Sequence, residues 1–174
     1  EAITAIASLR GMGIRTLMLS GDAEAVAAAI GQQAGVDEAR GGVQPEGKAA
    51  AIKALHAAGR VVGMIGDGIN DAPALAVADV GIAMGTGTDI AMETAGITLM
   101  RPDPRLVAAA IDISRATFGK IRQNLFWAFI YNLVGIPAAA LGYLSPALAG
   151  AAMAMSSVSV VCNSLLLRRW RPRH

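Results

Sequence analysis

From Gln123 to Leu167 the sequence runs for 45 residues without one Asp, Glu, Lys or Arg. A helix crosses the hydrocarbon core of a bilayer with about 20 apolar residues, so this stretch is long enough for two crossings. A purely water-soluble protein is therefore excluded as the simplest reading, and a buried helix pair inside a soluble core is the weaker alternative. The charges on either side are unevenly divided. Residues 1–112 carry 8 basic and 13 acidic side chains, whereas residues 113–174 carry 7 basic and none acidic. Ser145-Pro146 marks a turn within the apolar stretch, giving spans at about Asn124–Leu144 and Ala147–Leu167. The hairpin is flanked by Arg115, Lys120 and Arg122 at one end and by Arg168, Arg169, Arg171 and Arg173 at the other. The positive-inside bias then places both ends, and whatever precedes them, on the cytoplasmic side of a multi-pass membrane protein. Cys162 is the single cysteine, which excludes an intrachain disulfide and a thiolate zinc site and fits a cytosolic setting for the polar part. The chain opens at Glu1 with no initiator Met, charged n-region or apolar h-region, and so reads as part of something longer.

Before the hairpin, apolar runs of strand length alternate with helical patterns, the signature of βαβ units around a parallel sheet. The expected order is a helix over 2–10, a strand at Ile14–Leu19, a helix over 23–34 and another from Pro45 to Ala58. A strand at Val61–Ile65 follows, then a short helix over 71–78, a strand at Asp79–Ala83, the loop GTGTD at 85–89 with a short helix, and a strand at Ile97–Met100. The fold class is α/β, an open, doubly wound parallel sheet over residues 1–103. A helical connector over 104–122 begins after Pro102 and Pro104. The two membrane helices occupy 123–167, and a basic cytoplasmic tail covers 168–174.

Gly66-Asp67-Gly68-Ile69-Asn70-Asp71-Ala72-Pro73 follows the strand at Val61–Ile65 directly. Ligands in open α/β sheets bind at the carboxyl ends of strands, which is where Asp67 falls. Gly66 and Gly68 are expected to let the backbone turn tightly and approach a phosphate or metal, and Asp67 and Asp71 are expected to converge around Mg²⁺. An Asx turn with a helix N-cap is the plain structural alternative. Ser20-Gly21-Asp22 ends the other buried strand, where a hydroxyl and free N–H groups suit phosphate oxygens or, equally, a simple N-cap. Lys48 lies in the first turn of a helix, an unfavourable place for a cation unless it is aimed at an anion.

In these motifs, S-G-D, P-E-G-K, G-D-G-I-N-D-A-P and G-T-G-T-D, the chain resembles the second half of the phosphorylation domain of P-type ATPases, a haloacid-dehalogenase-like fold. The resemblance implies that Ser20, with Gly21 and Asp22, and Lys48 hold the phosphoryl group. It also implies that Asp67 binds Mg²⁺ and that Asn70 and Asp71 complete the pocket. The Asp-Lys-Thr-Gly-Thr motif whose Asp is phosphorylated in that family is absent, and so is the nucleotide-binding domain; ATP and the nucleophile are expected outside these residues.

In the hairpin, Tyr131-Asn132 is an isolated polar pair, and Met153 and Ser157 share a helix face while Met155 points away. A thioether with neutral oxygens suits a soft, monovalent cation, since a divalent ion would call for a carboxylate. Packing by small and hydroxyl residues explains the same pattern. The hairpin is similar to the last two membrane helices of copper(I)-transporting P-type ATPases, which implies Tyr131, Asn132, Met153 and Ser157 as ligands of transported Cu⁺, with silver(I) as a surrogate. The family's upstream Cys-Pro-Cys site is missing. The partners implied are membrane lipid, the rest of the same ATPase chain and a cytosolic copper chaperone, with no nucleic acid. Two other functions fit the residues: a membrane-tethered phosphatase of the same fold, and a non-catalytic ATPase-like binding module.

Overall fold

The computed structural model describes residues 1–85 and 88–171, in two compact units, Glu1–Ala108 and Ala109–Arg173. In the first unit the helices are α1 (Ala2–Gly11), α2 (Glu24–Ala34), α3 (Pro45–Ala57), α4 (Ala72–Val77) and α5 (Asp89–Thr94). The strands are β1 (Leu17–Leu19), β2 (Glu38–Arg40), β3 (Gly63–Gly66), β4 (Val80–Met84) and β5 (Ile97–Leu99). All pairings are parallel, as the alternating pattern requires, but the ladder comes in two parts, β1–β2 and β3–β4–β5. β4 lies in the middle of the second part and buries Ile82 and Ala83, with Leu75, Ala91, Met64 and Met92 packed around Ala83. Gly81 is required on that strand, because a Cβ there would stand 2.8 Å from the Leu75 carbonyl oxygen.

β1 starts three residues later than the apolar run suggests. Thr16 leaves the ladder because its N–H and its hydroxyl both donate to Asp37 Oδ2, at 2.8 and 2.9 Å. β2 is a strand the sequence does not announce, since Glu-Ala-Arg has no apolar alternation. It is an exposed edge whose Glu38 and Arg40 pair with each other at 2.7 Å. α2 ends at Gly35 with φ +82°, the left-handed cap glycine supplies without strain.

Two surface carboxylates hold neighbouring segments together. Asp37 is kept below the ordinary value of 3.8, first by the Thr16 N–H, and Asp79 is kept below 3.8, first by the Val62 N–H and further by His56 at 2.9 Å. A carboxylate whose folded pKa is depressed stabilises the fold above its unfolded pKa and loses that contribution as the pH falls through the folded value. The expected result is that amide-exchange protection at Thr16 and Val62 is steady down to about pH 4 and falls below it. Asp37→Asn and Asp79→Asn should each flatten that fall at their own partner; an unchanged profile in both would refute the assignment.

α6 (Arg105–Ala140) begins in the first unit, where Val107 and Ala108 are buried, and continues into the second, which also holds α7 (Pro146–Leu165). Asp103 starts α6 by accepting from the Arg105 N–H at 3.0 Å, and the Arg105 guanidinium beside it lowers its pKa. From the residues expected as a helical connector, 104–122, α6 continues without a break into the apolar stretch and through Pro137. α6 ends earlier than the expected Leu144. Gly142 turns at φ +77°, and Ser145 caps α7 by accepting from the Leu148 N–H at 3.3 Å. A 3-10 turn at Leu166–Arg169 follows α7. Pro146–Arg169 is long and apolar enough to cross a membrane. Of the expected basic tail, residues 172–174 lie outside the described residues, as do residues 86–87 of the GTGTD loop.

Candidate functional site

The motif at Ser20 is a tight turn rather than a helix cap. Its hydroxyl donates to Asp22 Oδ2 at 2.8 Å and accepts from the Asp22 N–H at 3.2 Å, while α2 begins beyond, with no side-chain cap. The loop that leads into α3 is laced to this turn. Val43 N–H donates to the Ser20 carbonyl at 2.9 Å, Gly42 N–H to the Asp22 carbonyl at 2.6 Å, and Gly41 N–H to Glu24 Oε2 at 2.7 Å. Ser20 and the start of α3 are thereby held together, although 25 residues separate Ser20 from Pro45. That lacing was not legible in the motifs.

From α3, Lys48 reaches the end of β3, where its Nζ lies 2.7 Å from Asp71 Oδ1 with side chains only 18% and 11% exposed. Asp71 Oδ2 in turn accepts weakly from the Gly68 N–H at 3.4 Å. Asp71, expected beside Asp67 as a second Mg²⁺ carboxylate, has the lysine as its partner among the described residues. Gly66 has a structural reason of its own: a Cβ there would stand 2.6 Å from the Cβ of Asp71, so glycine makes room for that carboxylate. Gly68 has φ −115° and a Cβ there would meet ordinary contacts, so nothing in the structure requires glycine at that position. Gly21 is likewise open, its nearest neighbour being the Val43 carbonyl at 3.9 Å.

Asp67 differs from Asp71 in each respect. It is exposed, and its carboxylate has no hydrogen-bond partner among the described residues, while its backbone carbonyl accepts from the Thr88 N–H at 2.9 Å. Thr88 also caps α5 through its hydroxyl, at 3.4 Å from the Ala91 nitrogen, so the described end of the GTGTD loop is fastened to the Asp67 turn. This anchoring role for Thr88 was missed. Asn70 is exposed in the single 3-10 turn, Ile69–Asp71, that leads into α4. The described residues contain no group of three His, Cys, Asp or Glu able to hold a metal. One free carboxylate nonetheless suits Mg²⁺, which keeps several waters and takes one or two carboxylates beside phosphate oxygens.

In the hairpin, Asn132 and Ser157 bond back to their own helices, Asn132 Nδ2 to the Ala128 carbonyl at 3.0 Å and Ser157 Oγ to the Met153 carbonyl at 3.2 Å. Met153 is 70% exposed, Asn132 and Ser157 are exposed and Tyr131 is half-buried. No hydrogen bond joins these four residues across the two helices.

Residues 1–79 match the family model of haloacid dehalogenase-like hydrolases. Over 171 residues, or 97% of the chain, the sequence is 56% identical to a probable copper-importing P-type ATPase A of Enterococcus hirae, of which it covers 24%. It is 56% identical over 165 residues to a copper-exporting P-type ATPase of Bacillus subtilis, covering 95% of this chain and 21% of that one. The chain belongs to the P-type ATPases. The structure superposes with a TM-score of 0.88 on a zinc-transporting PIB-type ATPase in an E2·Pi state, 38% identical, over 95% of this chain and 27% of that one. A catalytic CPx-ATPase domain superposes at 0.58 over 63% of this chain and 44% of that one, with 36% identity. The chain thus spans between a fifth and a quarter of the curated relatives it matches. As P-type ATPase sequence, its α/β unit and its apolar helices align with relatives as one continuous piece.

Proposed function

We propose that this chain is the part of a copper(I)-exporting P-type ATPase that closes the phosphorylation site and supplies two helices of the ion path. What carries the reading is that an α/β unit with Lys48, Asp71 and Asp67 at its strand ends runs, through the unbroken α6, into a hairpin with no carboxylate. Ser20 and the N–H groups of its turn bind phosphoryl oxygens. The Lys48 ammonium, oriented by Asp71, faces the same charge, and Asp67 provides an oxygen for Mg²⁺. Mg²⁺ held there would neutralise phosphate charge while the terminal phosphoryl group passes from ATP to an aspartate elsewhere in the longer protein and ADP leaves. Asn70 and Gly66-Gly68 shape the turn that presents Asp67.

In the hairpin, Tyr131, Asn132, Met153 and Ser157 offer oxygen and thioether donors without a negative charge. Moving a divalent ion past them leaves two charges uncompensated by these helices, whereas copper(I) carries one and accepts thioether sulfur. The whole protein sits in the membrane with α6 and α7 both spanning it and with the α/β unit and the C-terminus in the cytoplasm. The rest of its own chain and a cytosolic copper chaperone are its partners. The test is metal-stimulated ATPase activity of the full-length parent under reducing conditions. Copper(I) and silver(I) are expected to stimulate it and Zn²⁺ to have little effect, and Met153→Ala and Asn132→Ala should each weaken the copper response by about tenfold. Strong stimulation by Zn²⁺ with none by copper(I) would overturn the ion, and no stimulation by any metal would favour the tethered phosphatase.

A further inference from the structure

Every hydrogen bond that joins α6 to the α7 segment among the described residues lies near the basic ends of the hairpin. Lys120 Nζ donates to Asn163 Oδ1 at 2.8 Å, Asn163 Nδ2 donates to Asn124 Oδ1 at 2.8 Å, and Asn124 Nδ2 donates to Ser164 Oγ at 2.8 Å. Nearby, Trp170 Nε1 donates to Asp112 Oδ2 at 3.2 Å. A flipped Asn163 would set its nitrogen against the Lys120 ammonium and its oxygen against Asn124 Oδ1, losing both bonds, and a flipped Asn124 would lose its bond to Asn163. Asp112 with Trp170 and Lys120 with Asn163 run in opposite directions, and Asn124 reaches both Asn163 and Ser164. Continued along the helices, that antiparallel arrangement sets Tyr131 and Asn132 opposite residues 150–157, which include Met153 and Ser157.

The same bonds fix rotation. Half-buried positions on α6 include Ala128, Tyr131 and Gly135, with Ile130 beside them, and on α7 Ala152 and Ser156, with Ser159 and Val160 a turn further on, so the facing sides run through these positions. Asn132, Met153 and Ser157 each come one residue after one of these positions. In two antiparallel right-handed helices, a step of one residue turns both toward the same flank of the pair. Asn132, Met153 and Ser157 therefore share one flank at one depth.

We infer that Lys120, Asn124 and Asn163 form a polar clasp that sets the rotation of α7 against α6 and so positions Asn132, Met153 and Ser157 on a common flank. The inference rests on the proposed ion path, yet it has a readout of its own. Nitroxide labels at Leu133→Cys and Ala154→Cys, in the full-length parent with its other cysteines replaced and reconstituted in lipid nanodiscs, report the relative rotation. Asn163→Leu and Lys120→Met are expected to shift or broaden the distance by about 5 Å, half a helix diameter, whereas Lys120→Arg should preserve it. In the full-length parent the two disrupting variants should raise the half-stimulating copper(I) concentration by about tenfold, with phosphorylation by inorganic phosphate in the absence of metal unchanged. An unchanged distance distribution in both disrupting variants overturns the clasp. A shifted distance with an unaltered copper response overturns its positioning role. If the wild-type parent responds to no metal, the ion reading fails and the distance measurement alone decides the clasp.

Discussion

Asp67→Ala in the full-length parent is expected to eliminate the phosphoenzyme, lowering its formation by about 10³-fold or more. The carboxylate is exposed and has no protein partner among the described residues, so what its removal takes away is an oxygen for Mg²⁺. Without it, phosphate charge repels the attacking aspartate. The fold should be untouched, because the bond that fastens the Asp67 turn to Thr88 uses the backbone carbonyl, which alanine keeps. Acid-stable incorporation of labelled phosphate, measured beside the thermal midpoint, checks both halves. Wild-type phosphoenzyme levels in the variant would remove Asp67 from the Mg²⁺ site, and a large drop in midpoint would make its role structural.

Lys48→Met should behave in the opposite way. It leaves Asp71, 8% exposed, as a buried charge without its partner at 2.7 Å, and breaking such a pair costs about 3–5 kcal/mol. Phosphorylation is lost as well, but stability falls with it. Adding Asp71→Asn removes the stranded charge and keeps an acceptor for the Gly68 N–H, so the double variant should recover most of the stability without recovering phosphorylation. Denaturation midpoints of the three proteins decide this. Equal destabilisation in the single and double variants would show that the buried charge is not the source of the loss, and recovered phosphorylation in the double variant would show that Lys48 acts only as a structural partner.

These two residues also mark where the sequence was legible and where it was not. The place of Asp67 after an apolar strand could be read, and helix ends could be read from Pro45, Gly35 and Gly59, because those signals are local. The pairing of Asp71 with Lys48 could not be read, since the two lie 23 residues apart and only the folded chain brings them together. β2 was invisible for a related reason. An edge strand of Glu-Ala-Arg buries too little apolar surface to leave a periodic signal, and its existence depends on pairing with β1. Thr16 and Thr88 were missed because their roles are hydrogen bonds to residues set by the fold rather than by neighbours in sequence. In the hairpin, composition revealed an apolar block, but the end of α6 at Ala140 was decided by the left-handed turn at Gly142.

α6 is a single helix of 36 residues, which at 1.5 Å per residue makes a rod about 54 Å long. A rod of that length acts as a lever. A tilt of only 5° about one end carries the other through about 5 Å, the height of a helical turn, with no residue along the way changing its own conformation. Tyr131 and Asn132 lie about 40 Å along the rod from Arg105, so the same tilt moves them through about 3 Å.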